Sequence, residues 1–136
     1  MKQPLMIGID IGGTKIRLCT ARPTSPHQPL YTVTIPTPRS FSLAQPEIEQ
    51  AIEILLDGHP IAGIGVASPG PVDSSKGIIG HPTHLSWTNA PISRWLNGKW
   101  HCPVGLWNDA TAAGICEAQY GNAKRYRYAL YVSIST

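Results

Sequence analysis

Leu5–Lys15 reads LMIGIDIGGTK, and this stretch decides how the rest of the chain is read. Leu5, Met6, Ile7, Ile9 and Ile11 describe an apolar β-strand with one acid, Asp10, near its end. A carboxylate in so apolar a strand is costly to bury unless something positive compensates it. The chain then turns through Gly12-Gly13-Thr14, where missing side chains let backbone N–H groups approach an anion. Thr14 and Lys15 add a hydroxyl and a charge. Acid, glycine turn, hydroxyl and cation together suit a metal-bound polyphosphate. The plainer alternative is a β-hairpin whose turn needs glycine, with Asp10 merely at a strand end. A Walker A loop is excluded, because the G-x-x-x-x-G-K-[ST] spacing is absent. Ile16, Leu18 and Cys19 read as a second strand, so an anion here would sit in a hairpin turn rather than on a helix N-terminus.

The 136 residues fit one domain, with 42% hydrophobic and only 14% charged residues. A net charge of +3 on scattered basic residues does not argue for nucleic acid. The one dense basic group, Lys124, Arg125 and Arg127, reads as a solvated corner between a helix and a strand. No hydrophobic run approaches the roughly 18 residues of a membrane span, and the N-terminus lacks a signal-peptide pattern. Cys19, Cys102 and Cys116 form no C-x-x-C pair, which suggests reduced thiols in the cytoplasm. His101-Cys102 has no partner pair at zinc-ligand spacing and reads as strand edge and core. The four tryptophans, Trp87, Trp95, Trp100 and Trp107, read as core residues, some of them exposed at a domain face.

Outward from the opening hairpin, the pattern predicts strands at Leu5–Ile11, Lys15–Thr20 and Leu30–Ile35. Pro23, Pro26 and Pro29 mark a surface loop between the last two. Ile48, Ala51, Ile52 and Leu55 fall at helical spacing, which predicts a helix over Leu43–Asp57 with Ser42 as N-cap, stopped by Gly58 and Pro60. Ile61–Ala67 reads as a buried strand before the loop Ser68–Asp73, and Gly77–Gly80 as a short strand. Pro91–Gly98 reads as a short helix, Pro103–Trp107 as a strand, Asp109–Tyr120 as a helix ended by Gly121, and Tyr128–Ser135 as a last strand. The order is α/β. Gly63-x-Gly65-x-x-Ser68 is not a dinucleotide fingerprint, because Pro69 and Pro71 stand where a phosphate-binding helix would begin.

The chain has eight carboxylate side chains, so candidates can be eliminated by position. Glu47, Glu49, Glu53 and Asp57 lie off the apolar stripe of their helix and read as solvated. Asp73 reads as a turn residue and Glu117 as a structural hydrogen-bond partner within a helix. Asp109 follows an apolar strand and opens a helix of small residues, and ligands bind at the C-terminal ends of strands in open α/β sheets. It reads either as a catalytic carboxylate or as a plain helix N-cap. Asn108 adds a second polar group to the same crevice, and Ala112, Ala113 and Gly114 let another element approach the helix closely.

Taken together, Asp10–Lys15, Gly63–Asp73, Trp87, and Asn108–Ala113 with Glu117 and Gly121 resemble the ROK family of repressors, open reading frames and kinases. The resemblance implies an actin-like ATPase fold, two ribonuclease-H-like domains with a mixed sheet and packed helices, closing over sugar and nucleotide. It divides the chain into a domain over 1–125 and, over 126–136, the first strand of a second domain. It implies ATP-dependent phosphorylation of a hexose or N-acetylhexosamine. Asp10 would hold Mg2+, usually through water, and Gly12, Gly13, Thr14 and Lys15 would face the ATP phosphates. Ser68, Pro69 and Gly70 would contact the sugar. Asn108 would bind its hydroxyls, and Asp109 would be the general base.

The sequence departs from the family pattern at His84-Leu85-Ser86-Trp87, where many members carry Asn before the Leu. His84 reads either as a group contacting a sugar hydroxyl or as a surface substitution. Tyr131–Thr136 resembles a strand that in the family leads into a second, glycine-rich phosphate loop. The family's zinc cluster and most of its adenine site lie beyond that point. The resemblance thus implies the N-terminal half of a cytoplasmic, homodimeric enzyme, inactive by itself, with sugar and ATP as partners and neither nucleic acid nor membrane. The rivals are a sugar-sensing regulator without kinase activity, disfavoured because its winged helix would precede Ile7, and an actin-like ATPase acting on a non-sugar.

Overall fold

The computed structural model of the chain describes residues 1–134. Strand β1 (Leu5–Ile11) is its centre. The period-two alternation of a strand sends Leu5, Ile7, Ile9 and Ile11 to one face, where all four are buried, and leaves Gly8 and Asp10 on the other. The Gly12–Thr14 turn returns the chain antiparallel as β2 (Lys15–Arg22), which pairs in turn with β3 (Ser25–Pro36). On its other side β1 pairs parallel with β4 (Ile61–Ser68), and β4 with β7 (Val104–Asn108). The resulting mixed sheet has the order β3-β2-β1-β4-β7. β5 (Val72–Asp73) and β6 (Ile78–Ile79) form a separate two-stranded ribbon.

Helix α1 (Phe41–Leu56) buries Ile48, Ala51, Ile52 and Leu55, its predicted stripe, in one core with the β1 isoleucines. Helix α2 (Ile92–Trp100) adds Ile92 and Leu96 to that core. Trp87, 1% exposed, sits beneath Phe41, and Phe41, Trp95 and Trp100 continue the aromatic contacts toward α2. Helix α3 (Asp109–Tyr120) takes the opposite face. There Ala112 shares a cavity of about 450 Å³ with Gly8, Asp10, Arg17, Gly65 and Trp107. The far end of α3 is tied to β3 by stacking of Tyr120 on His27, with centroids 4.8 Å apart. A short 3₁₀ turn, Asn122–Arg125, follows. Among the described residues, no helix is long and apolar enough to cross a membrane.

Four expectations need correction. The Pro23–Pro29 stretch is not a loop: the turn shrinks to residues 23–24, and Pro26 and Pro29 lie within β3. β3 is the sheet's edge, where a residue without an N–H is tolerated, and the pairing slips around Ala21 opposite Pro29. The α1 N-cap is Ser40, not Ser42: Ser40 is extended (φ −135°, ψ 156°) and its Oγ accepts from Leu43 N at 3.3 Å, whereas Ser42 is already helical. Glu49 is not simply solvated. Its Oε1 accepts from Trp95 Nε1 at 3.2 Å and its Oε2 pairs with Lys99 Nζ at 3.0 Å, because α2 packs across this flank of α1. Finally, 128–134 form no strand. A strand needs a neighbour, and no described strand pairs with this stretch; Ser135 lies outside the described residues.

Candidate functional site

The register brings the C-terminal ends of the three parallel strands together. Asp10 lies beside Ala67, Ala67 beside Trp107, and Ser68 beside Asn108. Crevices at such strand ends are the binding positions of open α/β sheets. Asp10, on β1, and Asp109, the first residue of α3, are both exposed and line one cavity of about 390 Å³ with Ala67, Ala113 and Tyr131. Tyr131 reaches this position across Gly114, where a Cβ would stand 3.3 Å from its own. The small residues of α3 thus admit a close neighbour, here the chain's own final stretch.

The glycine turn is braced from below. Gly12 N donates to Lys15 O at 2.9 Å, Thr37 Oγ1 to Gly12 O at 2.7 Å, and Thr37 N to Thr14 O at 3.0 Å. The N–H of Gly12 is therefore spent on closing the hairpin. Gly13 and Thr14 are exposed, and among the described residues their N–H groups have no partner. Lys15 opens β2 opposite Pro36 and is exposed. Arg17, which the sequence reading passed over, stands directly across from Asp10 and lines the same face. The signal for it was the hairpin register, which pairs residue 10 with residue 17 once the turn is placed.

Ser68 was expected to touch a ligand. Its side chain is instead fully buried, and its Oγ donates to Pro69 O at 3.1 Å, so it braces the loop, in which Pro69 and Gly70 are half-buried. The Gly70–Pro71 peptide is cis. A Cβ on Gly70 would stand 3.1 Å from Asn108 Nδ2, so loop and amide are in direct contact. Asn108, not Asp109, is the N-cap of α3: its Oδ1 accepts from Ala110 N at 3.1 Å and Thr111 N at 3.3 Å. Its Nδ2 is left over as a donor beside Gly70. Asn108 holds the capping position, and the Asp109 carboxylate also bonds the first turn, its Oδ1 accepting from Ala110 N at 2.7 Å.

The remaining candidates are structural. Asp73 accepts from Ser75 Oγ at 2.7 Å and Lys76 N at 3.0 Å; these bonds, with the Lys76 charge, hold its carboxyl below the usual range. Glu117 Oε2 accepts from Asn122 N at 3.0 Å, locking the end of α3. His101 ends α2 with φ 51°, and Cys102 is buried, which pushes its thiol pKa up. Among the described residues, no three His, Cys, Asp or Glu side chains converge as a metal site. Asp10, an exposed carboxylate on the strand that leads into the Gly12–Thr14 turn, nevertheless fits Mg2+, which is commonly held by one or two carboxylates plus substrate phosphates.

Residues 6–136 match the ROK family. The glucokinase of Streptomyces coelicolor is 29% identical over 132 residues, which are 97% of this chain and 41% of that protein. The xylose repressor of Bacillus subtilis is 30% identical over 115 residues, 77% of this chain and 30% of its own length. A solved ROK family glucokinase from Streptomyces griseus, in complex with glucose and AMPPNP, superimposes with a TM-score of 0.77 at 28% identity. That match covers 88% of this chain and 38% of the other. The chain thus spans about two-fifths of the length of the glucokinases it matches.

Proposed function

The chain belongs to the ROK family and carries the N-terminal part of its actin-like ATPase fold, and from that premise we propose that it is one half of an ATP-dependent sugar kinase. The observation that carries the reading is the cavity that Asp10 and Asp109 share at the C-terminal ends of the parallel strands. Phosphoryl transfer asks a protein for positioning and charge neutralisation more than for covalent help. Asp109 takes the proton of the sugar hydroxyl as its oxygen attacks the γ-phosphorus and the bond to the β,γ-bridging oxygen breaks. Asn108 Nδ2 and the Pro69-Gly70 loop orient the sugar. Gly13, Thr14 and Lys15 face the phosphates, with Gly12 closing the turn beneath them. Asp10 would hold Mg2+, which when bound would supply charge neutralisation on the phosphate oxygens.

The substrate class is a hexose or N-acetylhexosamine. The reading places residues 1–125 in the first domain and 126–136 at the start of a second, which would carry the other phosphate loop and any structural zinc. The complete protein acts in the cytoplasm as a homodimer. A coupled assay tests this: the full-length protein phosphorylates a hexose with ATP and Mg2+, and the 136-residue chain alone does not. Robust turnover by the isolated chain refutes the two-half division.

The similarity to the xylose repressor supports one other reading, a sugar-binding regulator without transfer. It predicts a full-length protein that is stabilised thermally by a sugar, shows no turnover, and binds operator DNA.

A further inference from the structure

Residues 80–90 form a loop with a fixed inside and outside. An Ile79–Ala90 bridge closes its base, and Asn89 N donates to Gly80 O at 2.7 Å. His81 Nδ1 and Thr88 Oγ1 pair across it at 3.0 Å. Pro82, Leu85, Trp87 and Ala90 are buried beneath, and Trp87 Nε1 donates to Pro38 O at 2.9 Å. The apex of this loop rests on the glycine turn: the His84 carbonyl oxygen occupies the space a Cβ on Gly13 would need, and His84 Cβ stands 3.4 Å from that position.

His84 is thereby fixed through its backbone, while its ring is exposed and has no hydrogen-bond partner among the described residues. Thr83 and Ser86 are equally exposed, but only the His84 backbone and Cβ are among the nearest atoms to Gly13. The turn it rests on presents the unpartnered N–H groups of Gly13 and Thr14. The imidazole springs from a Cβ only 3.4 Å from where a Gly13 Cβ would stand, so the ring is rooted at the turn that carries those donors. Building on the kinase reading, we infer that His84 is a ligand-contacting residue on the phosphate side of the site, its ring N–H donating to the terminal phosphate of the nucleotide. The loop Gly80–Ala90 is then the positioning arm of the phosphate turn, and Gly13 is the contact that sets its reach.

The test is an NMR titration of the isotopically labelled chain with inorganic tripolyphosphate and Mg2+, and separately with glucose. The His84 ring signals and the Gly13 and Thr14 amides are expected to move along one saturation curve with tripolyphosphate. His84→Ala weakens that binding about five-fold or more, and His84→Asn, which keeps a donor, recovers part of the loss. Unchanged signals from His27 and His59 report that each variant is folded. If the amides move while the His84 ring stays still and His84→Ala binds normally, the inference is overturned and the phosphate turn stands. If neither amides nor ring move, the phosphate reading of the turn falls and takes this inference with it. Movement of the ring with glucose alone also overturns it, transferring His84 to the sugar side.

Discussion

Asp10 and Asp109 come from opposite ends of the described chain and face the same cavity of about 390 Å³. Three parallel neighbours achieve this: β1 delivers Asp10, β7 ends at Asn108, and β4 between them sets the spacing through Ala67. Because Asn108 caps α3 with its Oδ1, the Asp109 carboxylate is the first acidic group of the helix and is exposed to the cavity. The site is therefore built by the sheet's register, and substitutions that disturb its supports are informative.

Gly13 and Gly65 separate the constraints of close packing from those of glycine as such. A Cβ at Gly13 collides with the His84 carbonyl, whereas at Gly65 nothing lies within 4 Å. Gly13→Ala lowers stability by about 1–3 kcal/mol and displaces the 80–90 loop. Gly65→Ala raises it by about 0.5–1 kcal/mol, since alanine loses less backbone freedom in a strand. Urea unfolding of both variants checks the pair, and equal effects would contradict the packing.

Glu49 joins the two helices of the main core. Glu49→Ala removes the acceptor of Trp95 Nε1 and the partner of Lys99 together, and costs about 1–2 kcal/mol. Glu49→Gln keeps the acceptor and costs about 0.5 kcal/mol, because the ion pair is partly exposed. Denaturant midpoints that rank the two variants the other way would contradict this arrangement.

The turn after β5 depends on pH through Asp73. Its carboxyl is held low mainly by the Ser75 hydroxyl and then by the Lys76 N–H. A depressed folded value means that the turn gains stability above the ordinary carboxylate pKa and loses it as pH falls through the folded one. The Lys76 amide signal, followed from pH 6 to 2, is expected to titrate below the ordinary value of 3.8. A midpoint at or above that value contradicts the hydrogen-bonded geometry.

The three cysteines differ in access. Cys116 is exposed, Cys19 half-buried and Cys102 buried, and burial pushes the thiols of Cys19 and Cys102 up. Iodoacetamide applied to the folded chain is expected to modify Cys116 first, read by intact mass and peptide mapping. Early labelling of Cys102 would show that the α2–β7 corner is not packed as described.

Much of this architecture was readable from local pattern. The alternation of Leu5–Ile11, the helical stripe of Ile48–Leu55 and the boundaries of Asp109–Tyr120 all came out as the sequence predicted. What escaped was set by neighbours distant in sequence. Pro26 and Pro29 enter a strand because β3 is an edge, and Glu49 finds partners because α2 crosses α1. Residues 128–134 carry a strand-like pattern without a strand to pair with. In the site, Asp10 and Asp109 line one cavity and Asn108 caps α3 beside it, but Ser68 turns its hydroxyl inward to Pro69 O. Arg17 and the Gly13–His84 contact needed register and tertiary placement, which no single motif contains.

The most direct measurement is steady-state hexose phosphorylation by the full-length protein and its Asp109→Asn variant, with sugar affinity determined in parallel by calorimetry. A positioned base contributes roughly 10²–10⁴-fold, so the variant is expected to bind sugar normally and to turn over at least about 100-fold more slowly. Near-normal turnover in Asp109→Asn would contradict the assignment of this site.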